Sequence, residues 1–235
     1  MVTDGTDLQG GCRVSCVIPA LNEAPSILAT LGLLQPMRDR GTEVLLVDGG
    51  SRDGTPERAH PLVDRVLTAA PGRASQMNAG AAHAQGEILW FLHADTEPSP
   101  EADQAIRGAI EDGADWGYFS VRLSGERRLF RMVERMMTAR SRMTGIATGD
   151  QGIFVRRALF EQVGGFPEQP LMEDVALSVR LKRAAERRVC LPSRLITSSR
   201  RWEERGAVRV ILLMWWLRLA YALGVAPERL ARWYR

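Results

Sequence analysis

The sequence predicts an α/β protein, with a mostly parallel, mixed sheet flanked by helices and a C-terminal apolar helix. Three observations carry this reading. Apolar runs of strand length alternate with helical stretches of about ten residues, the pattern of βαβ units. Polar residues close three of these runs at equivalent places, Asn22, Asp48 and Asp95. Residues 207–226 form one long, mostly apolar stretch interrupted by Arg209 and Arg218. With 235 residues, 45% hydrophobic and 25% charged, the chain can bury a sizeable core, which argues against disorder.

The first strand is read at residues 13–18 (RVSCVI), β-branched and stopped by Pro19. A helix follows over residues 24–34, then a second strand, 43–47 (EVLLV), running into Asp48, Gly49 and Gly50. Thr55 and Pro56 fit an N-cap and a first helical residue, with Glu57 favourable in the first turn. A third strand over residues 64–68 precedes a helix over 75–84. The fourth strand, 88–92 (ILWFL), is apolar on both faces and turns polar at His93, Asp95 and Thr96. Beyond residue 100, strands are read at 118–123 and 152–155, and helices at 129–142 and 174–186. No low-complexity linker or repeat divides the chain. The expected organisation is a disordered lead-in (1–12), a single domain (13–206) of two halves (13–97 and 98–206), and a C-terminal helical segment (207–235).

The 31 basic and 28 acidic residues leave a net charge of +3, a balance that argues against a nucleic-acid binder. The basic excess is concentrated after residue 180, for example at Arg183, Arg187, Arg194 and Arg205, and suits phosphates, an anionic membrane surface or a solvated helix face. Three cysteines, Cys12, Cys16 and Cys190, without a CxxC pair indicate neither a disulfide framework nor a zinc site and suit a reducing, cytoplasmic compartment. The polar N-terminus has no basic, apolar leader. Residues 207–226 are long enough for a bilayer, but each central arginine costs about 2.5–3.5 kcal/mol on insertion. That helix is therefore expected in the core, in a homodimer interface or peripherally on the inner face of the membrane, with Trp215, Trp216 and Tyr221 as interfacial anchors.

Right-handed crossovers bring the C-terminal ends of the strands to one edge, where such sheets bind ligands. Asn22, Asp48 and Asp95 fall there. Asp95, in the tetrapeptide HADT, is the candidate ligand for a hard divalent cation shared with phosphate oxygens. His93 lies two positions away, on the same side if the chain is extended. Arg73, after Pro71 and Gly72, is a candidate for a diphosphate.

The segments VSCVIPALNE, VLLVDGGSRDGT, GEILWFLHADT, GDQGIFVRR, GGFPE and LMEDVALSVRL, in this order over residues 13–202, resemble the family-2 glycosyltransferases of GT-A (Rossmann-like) fold. PGRASQMNAGA resembles the radical-SAM or selenodomain-associated subgroup. The resemblance implies transfer of a sugar, with inversion, from a nucleotide diphosphate donor such as a UDP-sugar to an unidentified acceptor, using Mn2+ or Mg2+. It implies that Asp48 recognises the base, that Pro19, Asn22, Glu23 and Ser51 line its pocket, and that Asp95 holds the metal. Asp174 would take the proton from the acceptor in a single displacement, which needs one base and no covalent intermediate. Glu173 would orient the acceptor or substitute as base. A plainer alternative, in which both carboxylates only stabilise a helix N-terminus, stays open.

The chain departs from the family pattern twice. His93 stands where the family's DxD motif begins with Asp, which bears on the ribose contact and the metal stoichiometry. In place of QxxRW stand Ser198, Ser199, Arg200, Arg201 and Trp202: the RW is kept without the Gln, which counts against processive polymerisation. Arg201 and Trp202 are read as lining the site, the one near phosphate and the other near the acceptor. Two rivals remain. A nucleotidyltransferase would show a glycine-rich, basic loop after the first strand, where this chain has PALNE. A nucleotide-sugar-binding protein without catalysis is motivated by His93. The terminal helix points to a lipid-linked or membrane-proximal acceptor.

Overall fold

The structure, a computed structural model, describes residues 12–125, 128–199 and 206–234, without the side chains of Ala207 and Val208. Strand β1 (Val14–Ala20) is buried along its whole length and lies between two parallel neighbours, β2 (Glu43–Asp48) and β4 (Ile88–Phe91). β3 (Arg65–Thr68) pairs in parallel with β2. Past β4 the sheet turns mixed. β7 (Phe154–Arg156) runs antiparallel to both β4 and β6 (Trp116–Leu123), β8 (Arg188–Thr197) parallel to β6, and β5 (Thr96–Glu97) antiparallel to β8. The order is β3-β2-β1-β4-β7-β6-β8-β5, and with four of its seven pairings parallel it is the mostly parallel, mixed sheet that the alternating pattern predicts.

Pro19 does not stop β1, which continues to Ala20 with Pro19 opposite Val47. The reason is directional. The carbonyl of Val17 accepts the N–H of Leu92, so Pro19, two residues on, faces the same way, beyond the last pairing with β4 at Phe91. Its missing N–H therefore falls where no ladder partner remains. Thr55 also differs from expectation: Gly54, at φ 82°, is the N-cap of α2 (Thr55–Ala59). Asp53 holds both the N–H and the hydroxyl of Thr55, so the threonine is drawn into the first turn.

Helices cover both faces. On one lie α1 (Ile27–Asp39) and α4 (Ala102–Glu111), packing Leu31, Leu34, Ile106 and Ile110 against Ile18, Leu46 and Trp90. On the other lie α3 (Arg73–His83), α6 (Arg157–Gln162) and α7 (Glu173–Ala184), packing Met77, Phe160, Leu177 and Leu181 against Leu45, Leu89 and Phe91. Gly80 lets α3 approach the sheet: a Cβ there would lie 2.3 Å from Val17 Cγ1. α5 (Arg128–Thr144) caps β6 through Phe130 and Val133. The terminal segment is two helices, α8 (Ala207–Ala222) and α9 (Pro227–Tyr234), instead of one continuous stretch to residue 226. They bury Leu217, Ala220 and Leu230 against Leu171 and Met172. Among the described residues no helix is long and apolar enough to cross a membrane. All three cysteines are free thiols.

Candidate functional site

The first wall of the site closes the ends of β1 and β2. Asp48 ends β2, 5% exposed, and one of its carboxylate oxygens accepts the N–H groups of Gly50 (2.9 Å) and Ser51 (3.0 Å). Asn22, in left-handed backbone at φ 56°, donates its N–H to Ser51 Oγ (2.8 Å) and accepts the N–H of Arg52 on Oδ1 (2.9 Å). The next two amides are also taken, Glu23 by Thr55 Oγ1 and Ala24 by Asp53, both at 2.9 Å. The hydroxyl of Thr55 is the main reason that the Asp53 carboxyl sits below its ordinary range. Beneath this rim the buried Gln76 amide donates to the carbonyls of Ala20 and Val47, each at 2.8 Å, and ties the two strand ends together. Pro19 is buried within β1. Sequence reasoning missed Asp53, Thr55 and Gln76. The DGT that follows Ser51 and Arg52 is their one local signal, and nothing marks Gln76.

The second wall is the turn after β4. The N–H of Thr96 returns to the carbonyl of His93 (3.1 Å), and Thr30 Oγ1 donates to the carbonyl of Ala94 (2.8 Å). The expectation that His93 and Asp95 share one side is thereby overturned, because a turn does not alternate its side chains as a strand does. His93 borders a recess with Glu173 and Asp174, while Asp95 borders one with Thr30, Ser124 and Thr197. The half-buried imidazole of His93 is pushed down to about 3 by desolvation and by the positive charge of Arg73, so it is neutral at pH 7.

The third wall is the start of α7. Met172, buried at φ 65°, turns the chain into the helix. Asp174 accepts the N–H of Gly149 and that of Val175, each at 2.7 Å. Gly149 fits closely, since a Cβ there would lie 2.6 Å from His93 Nε2 and 3.7 Å from Asp174 Oδ2. Glu173 is 6% exposed, and burial followed by the charge of Asp174 pushes it up to about 7, with Arg73 pulling the other way. Asp150, also beside Asp174, is raised by burial. Arg73 opens α3 at the mouth of this arrangement. Its side chain is exposed; desolvation opposes its charge, and Glu173, Tyr234, Asp174 and Asp95 hold it above its ordinary value.

His93, Glu173 and Asp174 thus border one recess, and the charge of Arg73 acts on all three and on Asp95. Asn22, Glu23, Asp48 and Ser51 form a second group joined by its own hydrogen bonds. Arg201 and Trp202 lie outside the described residues. Among the described residues no three His, Cys, Asp or Glu side chains cluster as a metal cage. No hydrogen bond or ion pair among them engages the Asp95 carboxylate. One free carboxylate suits a hard cation that takes its other ligands from phosphate oxygens and water.

The sheet with a nucleotide-type edge and helices on both faces is the GT-A glycosyltransferase fold. It matches the mannosyltransferase PcManGT from Pyrobaculum calidifontis, solved with GDP-Man and Mn2+, at a TM-score of 0.67 and 25% identity over 97% of this chain and 70% of that one. Residues 15–164, well over half of the chain, match the model of glycosyl transferase family 2, and the chain belongs to that family. A probable glycosyltransferase, YdaM of Bacillus subtilis (strain 168), is 28% identical over 195 residues, 72% of this chain and 46% of the relative. The undecaprenyl-phosphate 4-deoxy-4-formamido-L-arabinose transferase of Klebsiella pneumoniae is 30% identical over 158 residues, 61% of this chain and 48% of that protein. The chain spans about half the length of these curated relatives.

Proposed function

We propose that the chain is an inverting glycosyltransferase that moves a sugar from a nucleotide diphosphate donor, a UDP-sugar, to an acceptor, with a divalent cation. The observation that carries the reading is the recess that His93 and Gly149 share with Glu173 and Asp174, with the charge of Arg73 acting on both carboxylates and on Asp95. A leaving diphosphate needs positive charge on its own side and a base across the sugar from it. In this reading Asp48 holds the nucleotide base in a pocket shaped by Pro19, Asn22, Glu23 and Ser51. Asp95 holds Mn2+ or Mg2+, which stabilises the charge growing on the diphosphate when bound. Arg73 supports the same oxygens, and Arg201 and Trp202 complete the site.

Asp174, aimed by the N–H groups of Gly149 and Val175, takes the acceptor proton. Glu173, pushed up to about 7, orients the acceptor and buffers that proton, and can substitute as base. The neutral imidazole of His93 adds no charge to the metal site and instead packs beside Gly149. The nucleotide half is assigned to residues 13–97 and the acceptor half to 98–206 of one domain, and the segment PGRASQMNAGA supports the radical-SAM-associated subgroup. Three free thiols suit the cytoplasm. The tryptophans of α8 suit a peripheral position on the inner face of the membrane and a lipid-linked acceptor, as does the undecaprenyl-phosphate substrate named for the Klebsiella relative. Homodimerisation is the competing use of that helix.

Calorimetric titration of UDP- and GDP-sugars, with and without Mn2+, into wild type and Asp95→Ala tests the reading. One donor should bind tightly and should need both the metal and Asp95. Binding indifferent to both would leave a nucleotide-sugar binder without catalysis, and no binding at all would overturn the site.

A further inference from the structure

Between α5 and α8 runs a groove of about 520 Å³, within the size range of small-molecule sites. Its walls are apolar: Val133, Met136 and Met137 from α5, and Val210, Ile211 and Met214 from α8. Its polar side is different in kind. Arg140, Asp150 and Arg218 line it, and each has a buried atom, Nε of the two arginines and Oδ1 of the aspartate, that has no hydrogen-bond partner among the described residues. Buried polar atoms are usually satisfied, and three of the eight exceptions among the described residues gather on this groove, all on charged side chains. Two guanidinium groups against one carboxyl leave the groove cationic.

This polar side adjoins the base. Asp150 follows Gly149, whose N–H is bonded to Asp174, and the charges of Asp150 and Asp174 both act on Arg140. Tyr234 borders the groove and acts on Arg73 as well. On its outer side the groove merges with an apolar surface, where Trp215 is 59% and Met143 84% exposed. Leu212, Trp216, Leu219 and Leu223 extend that surface along and beyond α8, which carries Arg209 and Arg218 and no acid. An exposed, tryptophan-bearing helix with only basic charges is the chemistry of an anionic lipid surface.

We propose that this groove is the acceptor site and holds the hydrocarbon chain of an amphiphile whose phosphate head group is met by Arg140 and Arg218. The inference rests on the transferase reading above and names its acceptor class. The chain of such a lipid enters from the bilayer past Trp215, lies along Met136 and Met214, and delivers its head group beside Asp174. Asp174 takes the one proton that the phosphate monoanion keeps, as the oxygen that carried it bonds the anomeric carbon and the nucleoside diphosphate leaves. Arginine suits this task because its fixed fork of donors matches phosphate oxygens.

The test is binding of octyl phosphate, below its micellar concentration, to the full chain, with octyl glucoside and inorganic phosphate as the neutral and chainless comparisons. Octyl phosphate should bind at least about tenfold more tightly than either. Ala139 lines the groove from an exposed position, so Ala139→Trp fills the groove without entering the core, and should weaken octyl phosphate at least about tenfold. Arg218→Gln should erase much of the preference over octyl glucoside. Inorganic phosphate binding as tightly as octyl phosphate, or unchanged affinity in Ala139→Trp, overturns the proposal. So does a concentration-dependent dimer that Ala139→Trp abolishes, since a second copy would then be the occupant. UDP binding with Mn2+, measured in the same samples, separates the two readings. Groove binding lost with donor binding intact removes this inference alone, whereas donor binding absent with octyl phosphate still bound removes the transferase reading and with it the acceptor role.

Discussion

At the ends of β1 and β2 the loops are held by hydrogen bonds within the chain. Asn22 and Ser51 hold each other, Asp53 and Thr55 fix the amides of Ala24 and Glu23, and Gln76 ties the strand ends from below. The start of α7 is built the other way. Glu173 is buried beside Asp174, His93 is held neutral, and Asp150 and Arg140 keep atoms without partners among the described residues. The first region spends its polar groups on its own shape and offers a fixed edge to a ligand. The second keeps unfavourable electrostatics in place, and a bound ligand can relieve them.

The largest expected effect falls in the second region. Asp174→Asn should lower turnover by about 10²–10⁴-fold, the usual contribution of a general base, while donor affinity by calorimetry stays unchanged. A parallel loss of donor affinity would dissolve the distinction between the regions. Next comes Gly149→Ala, whose Cβ would lie 2.6 Å from His93 Nε2 and should cost about 1–3 kcal/mol in denaturant unfolding. An unchanged midpoint would show that the His93 ring is free to move.

Glu173 sharpens the contrast through pH. Its folded value, about 7, lies above the ordinary 4.5, so between these values the folded state holds a proton that the unfolded state has lost. Stability from this group is fully present below about 4.5 and declines as pH rises to about 7. Glu173→Gln should remove that decline from the pH dependence of urea unfolding. His93 has the opposite sign: its folded value, about 3, lies below 6.5, so its contribution is lost as pH falls from 6.5 towards 3. The smallest effect belongs to the first region. Ser51→Ala removes the acceptor for the Asn22 N–H and should cost about 0.5–1.5 kcal/mol in thermal unfolding, with turnover falling only through donor KM.

The half of the sheet that holds Asp48 was legible because its strands are continuous apolar runs ending at polar residues, as at ILWFL. β8 was not, since Pro192 and the charges of Arg188 and Arg194 disguise it. The structure accommodates the proline where pairing skips from Leu191 to Arg194, at a bulge. α4 was missed although Ala102, Ile106 and Ile110 recur every four residues, and its buried Asp103 is neutralised by Arg107 one turn on and by Arg40, which no local pattern links to it. At the site, motif order names Asp95 and Asp174 as candidates, and their roles belong to the proposed function. The direction in which His93 points depends on a turn, and the orphaned atoms of Arg140 and Asp150 depend on helices far apart in sequence, so neither could be read from the chain alone.

Met172 holds a left-handed backbone that a side chain of its size adopts only when its surroundings insist, and those surroundings are Leu217, Ala220 and Leu230 from the last two helices. The terminal helices therefore back the turn from which Glu173 and Asp174 open α7. Trimming the end of the chain would take that packing away from the turn that sets Glu173 and Asp174.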